Sequence, residues 1–361
     1  MSLNKSPKKT SRAKKIAVIM AASLVGISVA SIVSTICVYD SFFERYERPD
    51  YELYPGLYCY DRIKDELPRQ ELTIPSEDIE LSAYYYEAYN SRGLAVLSHG
   101  FHAGADDYLP LIEAIVKRGY SVLTYDVTGV YSTGGEDSVG MCRSLVDLDN
   151  VLNFAKEDAR FSSMPKLVIG HSWGGYAAAS VLALHSEIRA AVLIAPMNNG
   201  ATIMLEKGEQ YAGKAALLAK PVFEVYQRYL FGDYVKYNGT MGINSTTAPV
   251  LIAQGVLDTV ITPDGQSITA HLDEITNPNV SIYYGEGSQG SHTGIWHSVE
   301  SEEYQRTVTS RLKKLELEKG RALTDGELRE FYSAIDHRLF SEVNTELIDM
   351  IIRTFDKGLE L

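Results

Sequence analysis

A serine framed by glycines follows a short apolar run in the middle of this 361-residue chain. The motif reads Gly170-His171-Ser172-Trp173-Gly174, and an alanine-rich stretch with helical character comes after it. A strand, a tight turn and a helix in this order typically present a nucleophilic serine, because side chains in place of the glycines would collide with neighbouring backbone. We therefore expect Ser172 to project from the turn, where a base and an orienting acid can activate its hydroxyl.

Further along the chain, an aspartate and a histidine have the types and the order needed to activate Ser172. Asp258 lies in the loop after the apolar run 249–254, and His292 lies in a glycine-rich loop after the run 280–284. Ser, then Asp, then His, each beyond a strand, is one order in which an acyl-transfer triad occurs. In such a triad the imidazole takes the serine proton and the carboxylate orients the imidazole. The sequence thus predicts Ser172, Asp258 and His292 as catalytic residues.

Alternatives stay open for both partners of the serine. Asp258 could instead cap a helix, in which case Asp264 or Asp233 would supply the acid. His297 is the rival of His292 as the base, and His292 is preferred because a glycine-flanked loop precedes it.

An acyl-transfer site also needs N–H donors for the oxyanion that forms when a serine adds to a carbonyl group. The apolar run 94–98 ends in His99-Gly100-Phe101, where the glycine lets the backbone approach a substrate closely. We predict that the backbone N–H groups of Phe101 and Trp173 form this oxyanion hole. We interpret His99 as a histidine that supports the loop rather than as a base.

The elements that must position these residues follow from the pattern of residues 76–361. Short apolar runs alternate with helical patterns, which predicts an α/β fold with a mostly parallel, buried central sheet flanked by helices. Residues 197–247 interrupt the alternation with a helical, tyrosine-rich stretch that we interpret as a lid, and residues 298–361 form a helical, charged tail. Strands are predicted at 79–86, 94–98, 120–126, 166–170, 190–195, 249–254 and 280–284, and helices at 108–118, 141–159 and 175–185.

The N-terminus has the pattern of a membrane anchor. Residues 1–15 carry six basic side chains and no acid, residues 16–38 carry no charge, and acidic residues follow. An uncharged helix of this length spans a hydrocarbon core of about 30 Å, and the charge bias places the N-terminus in the cytoplasm. The sequence thus predicts a single-pass transmembrane helix, a linker at 39–75 and a catalytic domain outside the cell membrane. The alternative is a signal peptide cleaved near residues 28–30, which would yield a secreted protein.

The composition excludes several classes of protein. The hydrophobic fraction of 45% is that of a chain able to bury a core, which excludes a disordered chain. The net charge is −13 although the first fifteen residues are basic, so the rest of the chain lacks the excess of Lys and Arg that nucleic-acid binding needs. No spacing of cysteine and histidine resembles a zinc site.

From about Ile79 to Trp296 the sequence resembles the α/β-hydrolase superfamily, and within it the serine aminopeptidase and monoacylglycerol lipase-like branch. The resemblance implies an eight-stranded sheet, no metal and no organic cofactor. The loop that follows Asp126 is also similar to that branch, but Val127, Val130 and Tyr131 depart from its usual Arg and Gly residues, which makes transfer of the substrate preference unsafe. The matching pieces are His99-Gly100-Phe101, Gly170-His171-Ser172-Trp173-Gly174, Asp258 and His292.

These residues and this resemblance predict a serine hydrolase that cleaves a carboxylic ester, such as a medium-chain ester or a monoacylglycerol, through an acyl intermediate on Ser172. A serine aminopeptidase or amidase is the alternative within the enzyme class. A non-catalytic surface module that binds a partner through the lid or the tail is the alternative outside it, although the intact Ser, Asp and His set argues against such a module.

Overall fold

The structure, a computed structural model, describes residues 8–53 and 59–360. Within these residues the chain forms one sheet of eight strands with helices on both faces. The strands are β1 (Gln70–Ser76), β2 (Ile79–Tyr86), β3 (Leu94–Ser98), β4 (Ser121–Tyr125), β5 (Lys166–His171), β6 (Ile188–Ile194), β7 (Val250–Gly255) and β8 (Val280–Gly285). The α-helices are α1 (Lys8–Phe42), α2 (Tyr60–Ile63), α3 (Leu109–Lys117), α4 (Arg143–Glu157), α5 (Trp173–Ser180), α6 (Gly200–Ala212), α7 (Lys220–Phe231), α8 (Gly239–Asn244), α9 (Val299–Lys319), α10 (Asp325–Ser333), α11 (His337–Phe340) and α12 (Thr345–Glu360).

The sheet is mostly parallel, with the strand order β1-β2-β4-β3-β5-β6-β7-β8. The pairs β1 with β2 and β2 with β4 are antiparallel, and the remaining pairs are parallel. Every residue of β3, β4 and β7 is buried, as expected for strands that helices cover on both faces. The predicted α/β fold with a buried, mostly parallel sheet is confirmed.

Two layers of helices cover the sheet. Helices α4 and α5 pack on one face, and α3 and α12 pack on the other. On α12, Leu347, Ile351 and Phe355 recur about once per turn and are buried against the sheet, so their spacing is that of an amphipathic helix. Parallel strands end at the same edge of a sheet, so the loops that follow β3, β5, β7 and β8 lie along one edge.

Strand β1 lies outside the predicted strands, largely in the segment for which the sequence indicates a linker. It pairs antiparallel with β2 through a two-residue turn in which Glu77 has φ 53°. Ile74 is fully buried, but the outward residues of β1 are polar or charged and Pro75 stands near its end. A segment with a proline and only a short alternation of buried and exposed residues resembles a linker more than a strand, which explains why β1 is not predicted.

Helix α1 covers the uncharged residues 16–38. In the part of the chain that the structure describes, no helix has both the length and the hydropathy needed to cross a membrane. The membrane span is not supported by this finding and stays a prediction. Residues 1–7 of the basic N-terminus lie outside the described residues.

The end of α1 and the residue after it belong to the folded domain. Tyr39 and Phe43 are 2% and 1% exposed, whereas the neighbouring Phe42 is 41% exposed. The carbonyl oxygen of Phe43 accepts the Ser138 N–H at 2.7 Å. This hydrogen bond joins the end of the helix to the loop between β4 and α4.

Candidate active site

Ser172 stands at the turn between β5 and α5. Its backbone has φ 55° and ψ −112°, a conformation that non-glycine residues rarely adopt and that clusters at functional turns. Its N–H donates to the carbonyl oxygen of Ile194 at 2.8 Å, which anchors the turn to β6. A Cβ on Gly170 would lie 2.1 Å from the Gly174 carbonyl oxygen, and a Cβ on Gly174 would lie 2.1 Å from that of Ser98. The two motif glycines are therefore required for the turn that carries the serine.

His292 and Asp258 meet in the loops that follow β8 and β7. His292 Nδ1 donates to Asp258 Oδ2 at 2.7 Å. The carboxylate is fully buried, and the imidazole is 14% exposed. Because the Nδ1 proton is held by the carboxylate, the neutral imidazole presents Nε2 as a proton acceptor.

Backbone and side-chain donors surround the carboxylate of Asp258. Its Oδ1 accepts the N–H groups of Val260 at 2.8 Å and Ile261 at 2.9 Å, and its Oδ2 accepts Gln254 Nε2 at 3.2 Å. Burial by itself would raise the pKa of Asp258, but the hydrogen bonds from His292 and the two backbone N–H groups outweigh it and hold the pKa below its ordinary value. Asp258 is therefore an ionised acceptor at neutral pH.

The other candidate groups have different surroundings. Asp233 and Asp264 are exposed on the surface. His297 Nδ1 lies 3.1 Å from Glu302 Oε1, at the start of α9. Among residues 8–53 and 59–360, no group of three or more His, Cys, Asp or Glu side chains is arranged to hold a metal ion.

The residue before the serine holds His292 close to the turn. The rings of His171 and His292 have centroids 4.9 Å apart, and His171 Nε2 lies 3.1 Å from the His292 carbonyl oxygen. His171 is the last residue of β5 and is followed directly by Ser172. The structure thus brings the loop of His292, with Asp258, against the residue that precedes Ser172.

The loop after β3 runs beside the serine. A Cβ on Gly100 would lie 3.5 Å from Ser172 Cβ, so the backbone of this loop is in contact with the serine. Phe101 packs edge-on against Trp173, with ring centroids 5.3 Å apart. The two residues whose N–H groups are the predicted oxyanion donors therefore lie side by side, and their role as donors stays a prediction.

His99 uses both ring nitrogens to hold backbone. Its Nε2 accepts the Val127 N–H at 2.9 Å, and its Nδ1 lies 2.8 Å from the Gly100 carbonyl oxygen. Burial lowers the pKa of His99 to about 4, so the ring is neutral and joins the loop after β3 to the loop after β4. These contacts agree with a supporting role.

A residue that the sequence analysis does not single out extends this aromatic contact. The ring of Phe43 packs edge-on against that of Phe101, with centroids 5.5 Å apart. Phe43, Phe101 and Trp173 therefore form a row that connects the end of α1 to the serine turn. No motif marks Phe43, because nothing in its spacing distinguishes it from the adjacent Phe42, which is exposed.

The predicted lid segment, residues 197–247, contains helices α6, α7 and α8. Phe223 on α7 packs edge-on against Tyr39, with ring centroids 5.2 Å apart. The hydroxyl of Tyr234 donates to Asp149 Oδ2 at 2.5 Å. Aromatic residues of this segment thus contact the end of α1, through Phe223, and α4, through Tyr234.

Comparison with known proteins finds a matching family. A sequence model of the family described as serine aminopeptidase, S33, matches residues 89–239. No curated protein matches the sequence significantly.

Solved structures include similar folds. The esterase Pf2001 of Pyrococcus furiosus has a TM-score of 0.53 and 22% identity, and the similarity covers 75% of this chain and 98% of the esterase. In another crystal form of the same esterase the TM-score is 0.50, with 21% identity and coverage of 80% and 98%. An acylaminoacyl peptidase of Pyrococcus horikoshii has a TM-score of 0.48 and 15% identity over 63% of this chain and 38% of its own. At this identity the likeness to the esterase concerns the fold alone.

Proposed function

We propose that this chain, which has the α/β-hydrolase fold, is a serine hydrolase that cleaves carboxylic esters through an acyl intermediate on Ser172. One observation carries the proposal: His292, whose Nδ1 donates to Asp258 Oδ2 at 2.7 Å, contacts His171, and the next residue, Ser172, has the backbone of a nucleophile turn. A serine, a histidine and an aspartate in this arrangement perform acyl transfer on several unrelated folds.

Each residue has a defined step in this reaction. Ser172 Oγ attacks the ester carbonyl carbon while His292 Nε2 takes the hydroxyl proton, and ionised Asp258 stabilises the imidazolium that forms. The N–H groups of Phe101 and Trp173 donate to the oxyanion. His292 then delivers its proton to the alkoxide as the ester bond breaks. In the second half of the reaction His292 takes a proton from a water molecule that attacks the acyl carbon, and it returns this proton to Ser172 Oγ as the bond from Oγ to the acyl carbon breaks and the acid is released.

The substrate class that we propose is a medium-chain ester or a monoacylglycerol. Apolar side chains are exposed on both sides of Asp258 in the chain: Val256, Leu257 and Val260 are 41%, 62% and 45% exposed. Half-buried Phe101 adds an aromatic ring to the loop beside the serine. An apolar acyl or alkyl chain is favoured there because its binding removes apolar surface from water.

A fluorophosphonate probe, which reacts covalently with activated serines, tests the mechanism on the full-length protein. We expect labelling of the wild type, loss of labelling in Ser172→Ala and unchanged labelling in Ser281→Ala, a control on the outermost strand β8. Absence of labelling in folded wild-type protein would support the non-catalytic binding module instead.

A substrate panel tests the ester assignment. The kcat/KM values for p-nitrophenyl acetate, butyrate, octanoate and decanoate are compared with those for aminoacyl p-nitroanilides. We expect the octanoate or decanoate ester to have the highest value. Higher values for the anilides than for every ester would assign the protein as an aminopeptidase.

The location that we propose is the cell membrane, with residues 16–38 as the anchor and the catalytic domain outside. The support comes from the sequence, in which this uncharged run has basic residues before it and acidic residues after it. Membranes that contain the full-length protein are extracted with alkaline carbonate, and the recovered N-terminus is sequenced. Membrane retention with an intact N-terminus is expected, and a released protein that begins near residue 30 would indicate cleavage and secretion.

A further inference from the structure

Two buried side chains outside the triad connect the loops that form the site. Tyr108 and His171 are 4% and 6% exposed, and the Tyr108 hydroxyl lies 2.7 Å from His171 Nδ1. The same hydroxyl accepts the Gly100 N–H at 2.8 Å. On the other side of the ring, His171 Nε2 lies 3.1 Å from the His292 carbonyl oxygen. A continuous chain of hydrogen bonds therefore runs from the loop after β3 to the loop after β8.

The two ends of this chain determine where its protons lie. The Gly100 N–H can only donate, and the His292 carbonyl oxygen can only accept. His171 Nε2 therefore carries the ring proton, and in the neutral ring Nδ1 is an acceptor for the single proton of the Tyr108 hydroxyl. Burial, with the nearby His292 as a second cause, lowers the pKa of His171 to about 3, so the ring is neutral in the range where ester hydrolysis is assayed.

The chain of hydrogen bonds reaches the backbone beside each proposed reacting group. Gly100 precedes Phe101, whose N–H is a proposed oxyanion donor. His171 precedes Ser172, and the far end of the chain is the carbonyl group of the base residue His292 itself. The same hydrogen bonds therefore constrain the loop after β3, called the oxyanion loop here, the turn that carries Ser172, and the loop after β8, called the base loop here.

We propose that Tyr108 and His171 are positioning residues, which hold the oxyanion loop and the base loop in register with Ser172. This inference rests on the proposed function. A misplacement of about 1 Å between reacting groups can lower a rate about 100-fold, so fixing three loops relative to each other directly affects kcat. Both side chains bind backbone groups of the protein rather than the substrate, so the loss of either side chain should change KM little.

Four variants of the full-length protein test this role. Tyr108→Phe removes only the hydroxyl and keeps the ring that stacks on Trp296, with centroids 6.0 Å apart. His171→Leu removes both ring nitrogens, whereas His171→Gln keeps one acceptor and one donor at nearly the spacing of the imidazole nitrogens. Tyr120→Phe is the matched control, because it removes the hydrogen bond from a tyrosine hydroxyl to Asp356 at the opposite edge of the sheet.

With a soluble p-nitrophenyl ester we expect kcat to fall about 10–100-fold in Tyr108→Phe and His171→Leu, with KM within about twofold of the wild type. His171→Gln should recover most of the loss, and Tyr120→Phe should keep the wild-type kcat. The order of the two His171 variants separates positioning from packing, since a residue that only fills buried space is replaced better by leucine than by glutamine. Thermal unfolding is recorded for each variant. If Tyr108→Phe does not fold, the comparison of His171→Leu with His171→Gln tests the positioning role.

Two outcomes would overturn the inference alone. One is a wild-type kcat in both Tyr108→Phe and His171→Leu, and the other is a higher kcat in His171→Leu than in His171→Gln, each with Ser172→Ala inactive. Hydrolysis that persists in Ser172→Ala would overturn the proposed function and the inference with it.

Discussion

Replacing Phe43 by alanine tests whether the end of α1 is part of the catalytic domain. The Phe43 ring is 1% exposed and lies 4.7 Å from the ring of Tyr39 and 5.5 Å from that of Phe101. Truncating a buried phenylalanine lowers the free energy of unfolding by about 3–5 kcal/mol. With an unfolding entropy of about 2.1 cal/mol/K per residue over roughly 320 residues, the expected fall in Tm is about 4–8 °C.

Activity should fall as well, because Phe101, which also contacts Trp173, loses its ring contact with Phe43. We expect kcat for p-nitrophenyl butyrate to drop about tenfold, since a shift of the oxyanion loop by a fraction of an ångström is sufficient for such a loss. Phe42→Ala is the matched control: the residue is adjacent and of the same type, but it is 41% exposed, so its free energy of unfolding should change by less than about 1 kcal/mol.

Thermal unfolding followed by circular dichroism and steady-state hydrolysis are measured for both variants. Equal Tm and kcat values in Phe43→Ala and Phe42→Ala would refute the reasoning. Phe43→Leu separates the two effects, because it restores most of the buried volume without the edge-on ring contact. Its Tm should therefore recover further than its kcat.

Three other changes have defined outcomes. Asp258→Asn should lower kcat about 10⁴-fold in ester hydrolysis, because an amide does not hold His292 in the proton-accepting tautomer, and a loss below tenfold would contradict the mechanism. Asp126→Asn should gain stability relative to the wild type in urea titrations as the pH rises from about 4 to 6, because burial raises the pKa of Asp126 from 3.8 to about 6 and its ionisation in that window penalises the folded state. A stability difference that is constant across the window would show that this carboxyl does not titrate as stated. Gly326→Ala on α10, where a Cβ meets nothing within 4 Å, should raise the free energy of unfolding by about 0.5–1 kcal/mol in the same titrations, and a lowered value would contradict the open space at this position.

The central strands and the serine turn could be predicted because their signals are local. A parallel strand that is covered on both faces reads as a continuous apolar run, and β3, β5 and β7 each show one. The turn at Ser172 needs glycines at fixed offsets, so its motif is readable without any tertiary contact. The glycine-rich loop before His292 favours this residue over His297 as the base. In the structure His292 Nδ1 lies 2.7 Å from the carboxylate of Asp258.

The residues that connect the loops could not be predicted, because their roles exist only after the sheet has formed. Tyr108 reads as an ordinary residue at the start of a helix, and its partner His171 occupies the variable position of the serine motif. Neither type nor spacing shows that one hydroxyl bridges a backbone N–H and an imidazole. Phe43 follows Phe42 in the sequence, and no periodic pattern shows which of the two adjacent aromatic residues is buried.

Helix α1 runs into the folded domain without a break in its helical structure. It is continuous from Lys8 to Phe42, and within its last turn Tyr39 is already enclosed by the fold. Because the end of α1 is packed into the domain, the axis of α1 has a defined orientation relative to the sheet edge that carries Ser172. A surface or assembly that binds α1 therefore influences the side from which a substrate approaches Ser172.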